Sequence, residues 1–552
     1  MRTLIVLTSL AAVAGVALWP QQAEACGGFF CGQQPVDQSA ERIVFAVDRE
    51  AGTTDMIVQI AFQGDAADFA WVVPLADVPV DGSLDTFPQG ALTALDANSS
   101  PQIFPGGDCF LDASAPSAGG RGAEDDGEVT VHIREEVGPY DVAVVESEDP
   151  NALVEWLREN SFRVTAPMEP YISEYTAEGM KFLALRLQPE RKVGEIAPFR
   201  MTLPGTSPVV PLKMTALAAE PEMGIVVFIL GDQRYEGANW PNLTVPDEEL
   251  VVDWRTGRNN WATAVAHVVD EAGGQGWVTE TASSLDDYRR RLEVTTPADE
   301  EQAEAVAALL DIMDGQTYMS RLYTRLSAEE MTSDPIFRRS SGPDVPRWRE
   351  VTMEGIDACW WGGDEVEPAS PCDFTACGAG GRCAEVEMGE TTVAGCACVP
   401  GATARTTVGP NGESTVACQD MRMSFLNPGD RETPTSPPLG DPCVGFDCGN
   451  GTCVAMNMTP TCVCDRGMVA VGAIDADSGA RSTNCVTPAR PVPPRFYNVR
   501  LPSRPVTLPA GREVDIEPAP TTLGGGGCST SGTPASAAWM LLGLGVLIRR
   551  KR

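Results

Sequence analysis

Residues 55–63 read DMIVQIAFQ. Met56, Val58, Ile60 and Phe62 fall on every second position, so they share one face of an extended chain and predict a half-buried β-strand. Working outward, EVTVHIRE at 128–135 repeats the alternation with Val129, Val131 and Ile133, and FLALRL at 182–187 reads as a further strand. GIVVFIL at 224–230 is apolar at every position after its glycine, the pattern of a strand covered on both faces. Helical signals lie between the strands. Asp149 as N-cap and Pro150 in the first turn open NALVEWLREN. Thr296 and Pro297 are read as opening ADEEQAEAVAALLDIMD, whose early acids suit the positive end of a helix dipole. The mix predicts an α+β fold rich in antiparallel strands over residues 26–360. Within it, ASAPSAGGRGAEDDGE at 113–128 has no core-forming side chain larger than alanine and reads as a surface loop.

The chain has 77 acidic against 40 basic residues, a net charge of −37. That field repels phosphate backbones and argues against nucleic-acid binding. At the start, MRTLIVLTSLAAVAGVALWPQQAEA has a basic n-region, an apolar run and an A-x-A site ending at Ala25. This is the grammar of a secretory signal peptide over residues 1–25. Export places the remainder in an oxidising compartment, where cysteines pair. Cleavage after Ala25 leaves Cys26 first, but Ala23 and Glu24 fit a lipidation signal poorly, so ordinary cleavage is the preferred reading.

Twelve of the 17 cysteines form an internal repeat: 372, 377, 383, 396, 398 and 418, then 443, 448, 453, 462, 464 and 485. Both copies carry C-x-C late and a glycine just after the second cysteine. Segments so short cannot bury enough apolar surface to hold themselves, so disulfides must restrict the unfolded chain. Six cysteines alone allow fifteen connectivities. Zinc is disfavoured, since neither histidine lies in these segments and no C-x2-C occurs.

Both repeats, residues 368–420 and 442–487, resemble EGF-like modules. The resemblance implies first-to-third, second-to-fourth and fifth-to-sixth pairing. That gives Cys372–Cys383, Cys377–Cys396 and Cys398–Cys418, then Cys443–Cys453, Cys448–Cys462 and Cys464–Cys485. The final gaps are longer than usual for such modules. Only Asp441 stands where calcium-binding modules carry an acidic cluster, so calcium is not expected there. Of the remaining cysteines, a Cys26–Cys31 loop through CGGFFC and a Cys109–Cys359 bridge are preferred among three possible arrangements. Cys528 is left over.

Residues 26–360 resemble a bacterial family known as domain of unknown function 2330. The resemblance rests on ACGGFFC, on QGDAADFAWVVPL (63–75) and VGPYDVAVVES (137–147), and on DPNALVEWLREN, PVVPLKMTALA and MTSDPIF. It implies export and a shared fold, and brings no activity to transfer. A Pro-rich linker at 421–441 and a Pro-rich spacer at 488–523 read as semi-extended chain. The end, GGGGCSTSGTPASAAWMLLGLGVLIRRKR (524–552), joins a cysteine, a short apolar run and a basic tail. It resembles the myxobacterial C-terminal sorting domain, which implies a hydrophobic helix removed near Cys528 and a modified Cys528 holding the protein at the surface. The alternative is a retained single-pass anchor; its apolar run is barely adequate for a span.

Chemistry is sparse. His132 sits on the polar face of its strand and His267 off the Trp261, Val265, Val268 stripe of a helix, so both read as solvated. No nucleophile elbow, P-loop, dinucleotide fingerprint or zinc-protease motif occurs. Among so many acids, a carboxylate pair such as Asp65 and Asp68 carries little information about hydrolysis. Trp71 reads as core, and Trp360 and Trp361 as packing between domains. The sequence assigns no catalytic, cofactor-binding or metal-ligating residue. It predicts a non-enzymatic protein displayed on a stalk of modules, binding a protein or glycan of the cell envelope. A carboxylate-dependent hydrolase and a structural envelope component are the alternatives.

Overall fold

A computed structural model describes residues 37–351 and 369–490 except 64–69, 106–129, 163, 165–167, 189–195, 254–255, 390, 409–413, 421–442, 457–458 and 476–480, with 506–507 and 513–514 beyond. The principal strands of the large domain begin with β1 (Asp37–Asp48), β2 (Thr53–Gln63), β3 (Ala70–Leu75), β4 (Asp85–Thr86), β5 (Thr130–Val137) and β6 (Tyr140–Glu146). They continue with β7 (Lys181–Leu187), β8 (Phe199–Pro204), β9 (Ala219–Gly231), β10 (Asn242–Leu243), β11 (Trp277–Ser284) and β12 (Tyr318–Leu326). Eight of them form one sheet in the order β10-β11-β12-β9-β1-β2-β8-β4. It is antiparallel except at β1–β9 and β10–β11, so it is a mixed sheet. The other four form an antiparallel sheet, β3-β7-β6-β5.

The helices are α1 (Gln89–Ser99), α2 (Pro150–Glu159), α3 (Glu169–Ala177), α4 (Leu212–Thr215), α5 (Trp261–Glu271), α6 (Asp286–Val294) and α7 (Glu300–Ile312). One face of the large sheet, including Ile43, Phe45, Met56 and Val58, shares a core with the second sheet and with α2, α3 and α5. The opposite face, through Val44, Ile57 and Phe228, packs on Leu92 and Leu95 of α1, Tyr288 of α6 and Leu309 of α7. From Met56 to Val58 the β2 strand is therefore covered on both faces, which corrects the half-buried reading of DMIVQIAFQ at Ile57, while Asp55 and Gln59 on that second face stay half-buried. Its Ile57 is as enclosed as Met56 because a helical layer covers the side that alternation assigns to solvent.

Asp149 caps α2 by accepting from the Asn151 amide, with Pro150 in the first turn. The last helix starts later than Thr296 and Pro297 suggest. Asp299 is its N-cap, accepting from the Gln302 amide at 2.8 Å, and an oxygen acceptor in that place outcompetes the proline signal upstream.

The cysteine-rich repeats each fold as two hairpins. The first copy has β13 (Gly381–Met388) with β14 (Thr391–Cys398), and β15 (Ala402–Val408) with β16 (Ser414–Asp420). The second has β17 (Gly451–Met456) with β18 (Thr459–Cys464), and β19 (Val469–Ile474) with β20 (Arg481–Val486). The copies are not separate beads. Their hairpins combine crosswise into two four-stranded sheets, β13-β14-β19-β20 and β16-β15-β18-β17. The junctions are Cys396 opposite Ala470 and Ala404 opposite Cys462. In each junction the fourth cysteine of one repeat meets the residue six beyond the fifth cysteine of the other, so the pair has internal two-fold character.

Residues 1–25, most of the 488–523 spacer, and 524–552 lie outside the described residues, as do the 113–128 loop and the 421–441 linker. Within the spacer, Val506–Thr507 pairs with Glu513–Val514. Among the described residues, no helix is long and apolar enough to cross a membrane.

Candidate functional site

The repeat pair is docked on the large domain, and the seam is built by an irregularity in β9. Its pairing with β1 steps from Gln38 opposite Ala219 to Ala40 opposite Gly224, so residues 220–223 bulge out of the ladder. Pro221 has no amide to give the ladder, which favours a bulge at this point. The bulge carries two buried acids, Glu220 and Glu222. Glu220 faces the repeats: its Oε1 pairs with Arg481 of the second copy and lies 3.9 Å from Arg405 Nη2 of the first. Nearby, the Arg258 guanidinium lies 4.6 Å from the centroid of the Phe374 ring.

Glu222 has φ 61°, a left-handed conformation that costs a non-glycine residue about 1–3 kcal/mol. That backbone turns its side chain into the domain beside Asp270 and Glu330. Ligand-capable oxygens of the three acids lie within 4.8 Å of one another. Asp270 is in the last turn of α5, where the helix dipole disfavours an anion. Glu330 comes from a single 3-10 turn, Ala328–Glu330, that follows β12. A capping box sets it: the Ser327 amide donates to Glu330 Oε2 at 2.6 Å. Ser327 also reaches Glu222, its hydroxyl accepting from the Glu222 amide at 3.2 Å and donating to Oε1 at 3.3 Å.

The three side chains are 3%, 3% and 6% exposed. No N–H or hydroxyl reaches Glu222 Oε2, Asp270 Oδ1, Glu330 Oε1 or Oε2 of the adjacent Glu329, and Asp270 and Glu330 bond each other only when one of them carries a proton. The nearest cation is Arg325, whose Nε and Nη2 donate to the Glu222 carbonyl and whose Nε stays 3.9 Å from Glu222 Oε2. Burial, then repulsion from neighbouring acids, holds Asp270 and Glu330 well above the ordinary carboxylate range. Burial also raises Glu222 against the pull of Arg325, and pushes Glu329 up to about 7. The first repeat closes the site from outside. The Asp420 amide donates to Glu329 Oε1 at 3.2 Å, and a side chain at Gly378 would meet Cys418 O at 2.9 Å and Glu222 Oε1 at 3.4 Å.

A second feature is an open polar cleft of about 120 Å³ between the β5–β7 face and the end of α2. Arg134, Asp141, Trp156, Asn160, Ser161 and Arg186 contribute to its lining. Arg186 pairs with Asp141 at 2.7 Å, and Arg134 donates to Asn160 at 3.2 Å. Asp141 is buried and its carboxylate accepts from both Nε and Nη2 of Arg186, so the half-buried Arg134 and Arg186 are the charges nearest solvent in the cleft.

The structure joins the twelve repeat cysteines as Cys372–Cys383, Cys377–Cys396, Cys398–Cys418, Cys443–Cys453, Cys448–Cys462 and Cys464–Cys485. Ala25, Cys26, Cys31, Cys109, Cys359 and Cys528 lie outside the described residues, as do Asp65, Asp68, Trp360 and Trp361. Trp71 is in the core. His132 is exposed and contacts Glu146 at 2.9 Å. His267 is half-buried rather than solvated, and burial, helped by Arg325, lowers its pKa. The acids that do converge were not singled out from sequence. Their only local signals are Pro221 between two glutamates and the Ser327-x-x-Glu330 capping box.

A family described as an uncharacterized protein conserved in bacteria, domain of unknown function 2330, matches residues 20–338. Comparison with curated proteins and with solved structures finds no match.

Proposed function

The chain belongs to this bacterial family of uncharacterized proteins, and from that premise we propose that it is an exported binding protein held at the cell surface, with no catalytic step of its own. The observation that carries the reading is the seam. A large domain and two disulfide-stapled repeats, which could have been a domain on a flexible stalk, are locked together through the buried Glu220 and its two arginine partners. Such rigidity suits presentation of a fixed surface, since pre-organisation lowers the entropy cost of binding. The cleft at Arg134, Asp141 and Arg186 supplies recognition chemistry. With Asp141 buried under Arg186, it complements a small group bearing one negative charge, such as a peptide carboxylate or an acidic sugar, better than a polyanion that the net charge of −37 repels. Export through residues 1–25 and surface retention through Cys528 complete the proposal.

The test uses labelled mature protein and envelope preparations from producing cells whose own copy is deleted. Saturable binding that falls at least tenfold in Arg134→Gln supports the reading. Binding no greater than that of an unrelated acidic protein would overturn it.

A further inference from the structure

We propose that Glu222, Asp270 and Glu330, with Glu329 beside them, form a calcium site that ties the large domain to the cysteine-rich repeats. Three observations converge on it. First, the three carboxylates approach within 4.8 Å although like charges at that distance repel. Second, each keeps one oxygen that no N–H or hydroxyl reaches, at 6% exposure or less. A buried unpaired acceptor is costly, and native interiors rarely leave several together. A shared proton joins only Asp270 and Glu330, whereas a cation reaches oxygens of all three acids at once. Third, the local backbone is shaped to bring them in. Glu222 takes a left-handed conformation, and Asp270 stands at the wrong end of its helix for an anion. Arg325 does not fill the gap, because its Nε and Nη2 are spent on the Glu222 carbonyl.

The donor set selects the ion. All candidate ligands are carboxylate oxygens, with no histidine or thiolate, which points to a hard cation rather than zinc or copper. Calcium takes six to eight oxygens in flexible geometry, bidentate carboxylates included. Magnesium demands an octahedron and keeps several waters, which a site this enclosed does not favour. Glu329 links the site to the repeats: its Oε1 accepts from Asp420 while its Oε2 is unpartnered on the acidic side. Filling the site would therefore also steady the docking of the first repeat. This site is distinct from the EGF-like modules' own first-cysteine region, and it does not depend on the cleft proposed above.

The experiment is calcium titration of the mature protein after chelator treatment, followed by calorimetry and by amide exchange. One strongly bound ion per chain is expected. The thermal midpoint should rise by about 5 °C at a hundredfold excess over Kd, and exchange at the Asp420 amide should slow. Asp270→Asn and Glu330→Gln keep side-chain shape and remove repulsion, so both should fold, and each should weaken binding at least tenfold. Three results would overturn the proposal. Calcium could leave the midpoint unchanged, which would mean the carboxyls hold protons instead. Binding could survive both substitutions, which would place the ion on the acidic surface. Or magnesium could act equally well at the same concentration, which would remove the assignment to calcium.

Discussion

Arg321 shows how this fold handles charge inside. It is 5% exposed and held by Glu280 at 2.5 Å and Asp96 at 2.6 Å, while the Trp261 indole donates to the other oxygen of Glu280. Every charge there has a partner, in contrast to the cluster at Glu222. Burial would raise the Asp96 pKa, but Arg321 and Arg42 outweigh it and the net shift is downward from 3.8. A carboxylate depressed in the folded state contributes stability above its unfolded pKa and loses it as pH falls through the folded value. The native protein should therefore lose this contribution only below about pH 4, and Asp96→Asn should flatten that part of the acid-unfolding curve. Denaturant midpoints measured from pH 7 down to pH 2.5 would check it; unchanged curvature in the variant would count against the pairing. Neither network was legible in sequence. Asp96, Glu280 and Arg321 come from α1, β11 and β12, and Glu222, Asp270 and Glu330 from equally distant elements, among 77 acids that look alike until the chain is folded.

At the scale of elements, periodicity told more. The apolar runs became strands, and Asp149 with Pro150 began a helix where a side-chain acceptor and a fixed φ are both favoured. What alternation could not show is which layer covers the second face of a strand, since that depends on helices such as α1 and α7 placed by tertiary packing. The repeats make the same point. Cysteine spacing identifies two similar disulfide units, but crosswise pairing depends on which strand edges meet. Gly472 sits where they do: a Cβ there would lie 2.6 Å from Thr406 Oγ1 and 2.7 Å from Val416 Cγ2 of the other repeat. Gly472→Val should lower stability by about 1–3 kcal/mol through overpacking, with each repeat's own disulfides still formed. Urea unfolding of the oxidised protein measures this. A midpoint equal to that of the unchanged protein would mean the two copies do not interlock there.

For the molecule as a whole, the main departure from expectation is the joint. A domain, two beads and Pro-rich chain read as a stalk because docking surfaces carry no signature in a single sequence. Here the docking residues are a β-bulge, two arginines and a glycine, none unusual in isolation. Removing one partner of a buried ion pair typically costs about 3–5 kcal/mol; Arg481 keeps some contact with water, so about 2 kcal/mol is the expectation for Glu220→Gln. That loss could arise within the large domain alone, so the decisive quantity is coupling. A double-mutant cycle with Glu220→Gln and Arg481→Met isolates the interaction between the large domain and the second repeat. If the repeats are docked as described, unfolding of the mature protein should give a coupling energy of about 1–2 kcal/mol. A coupling indistinguishable from zero would contradict the joint, and with it the account of the large domain and the repeats as docked on each other.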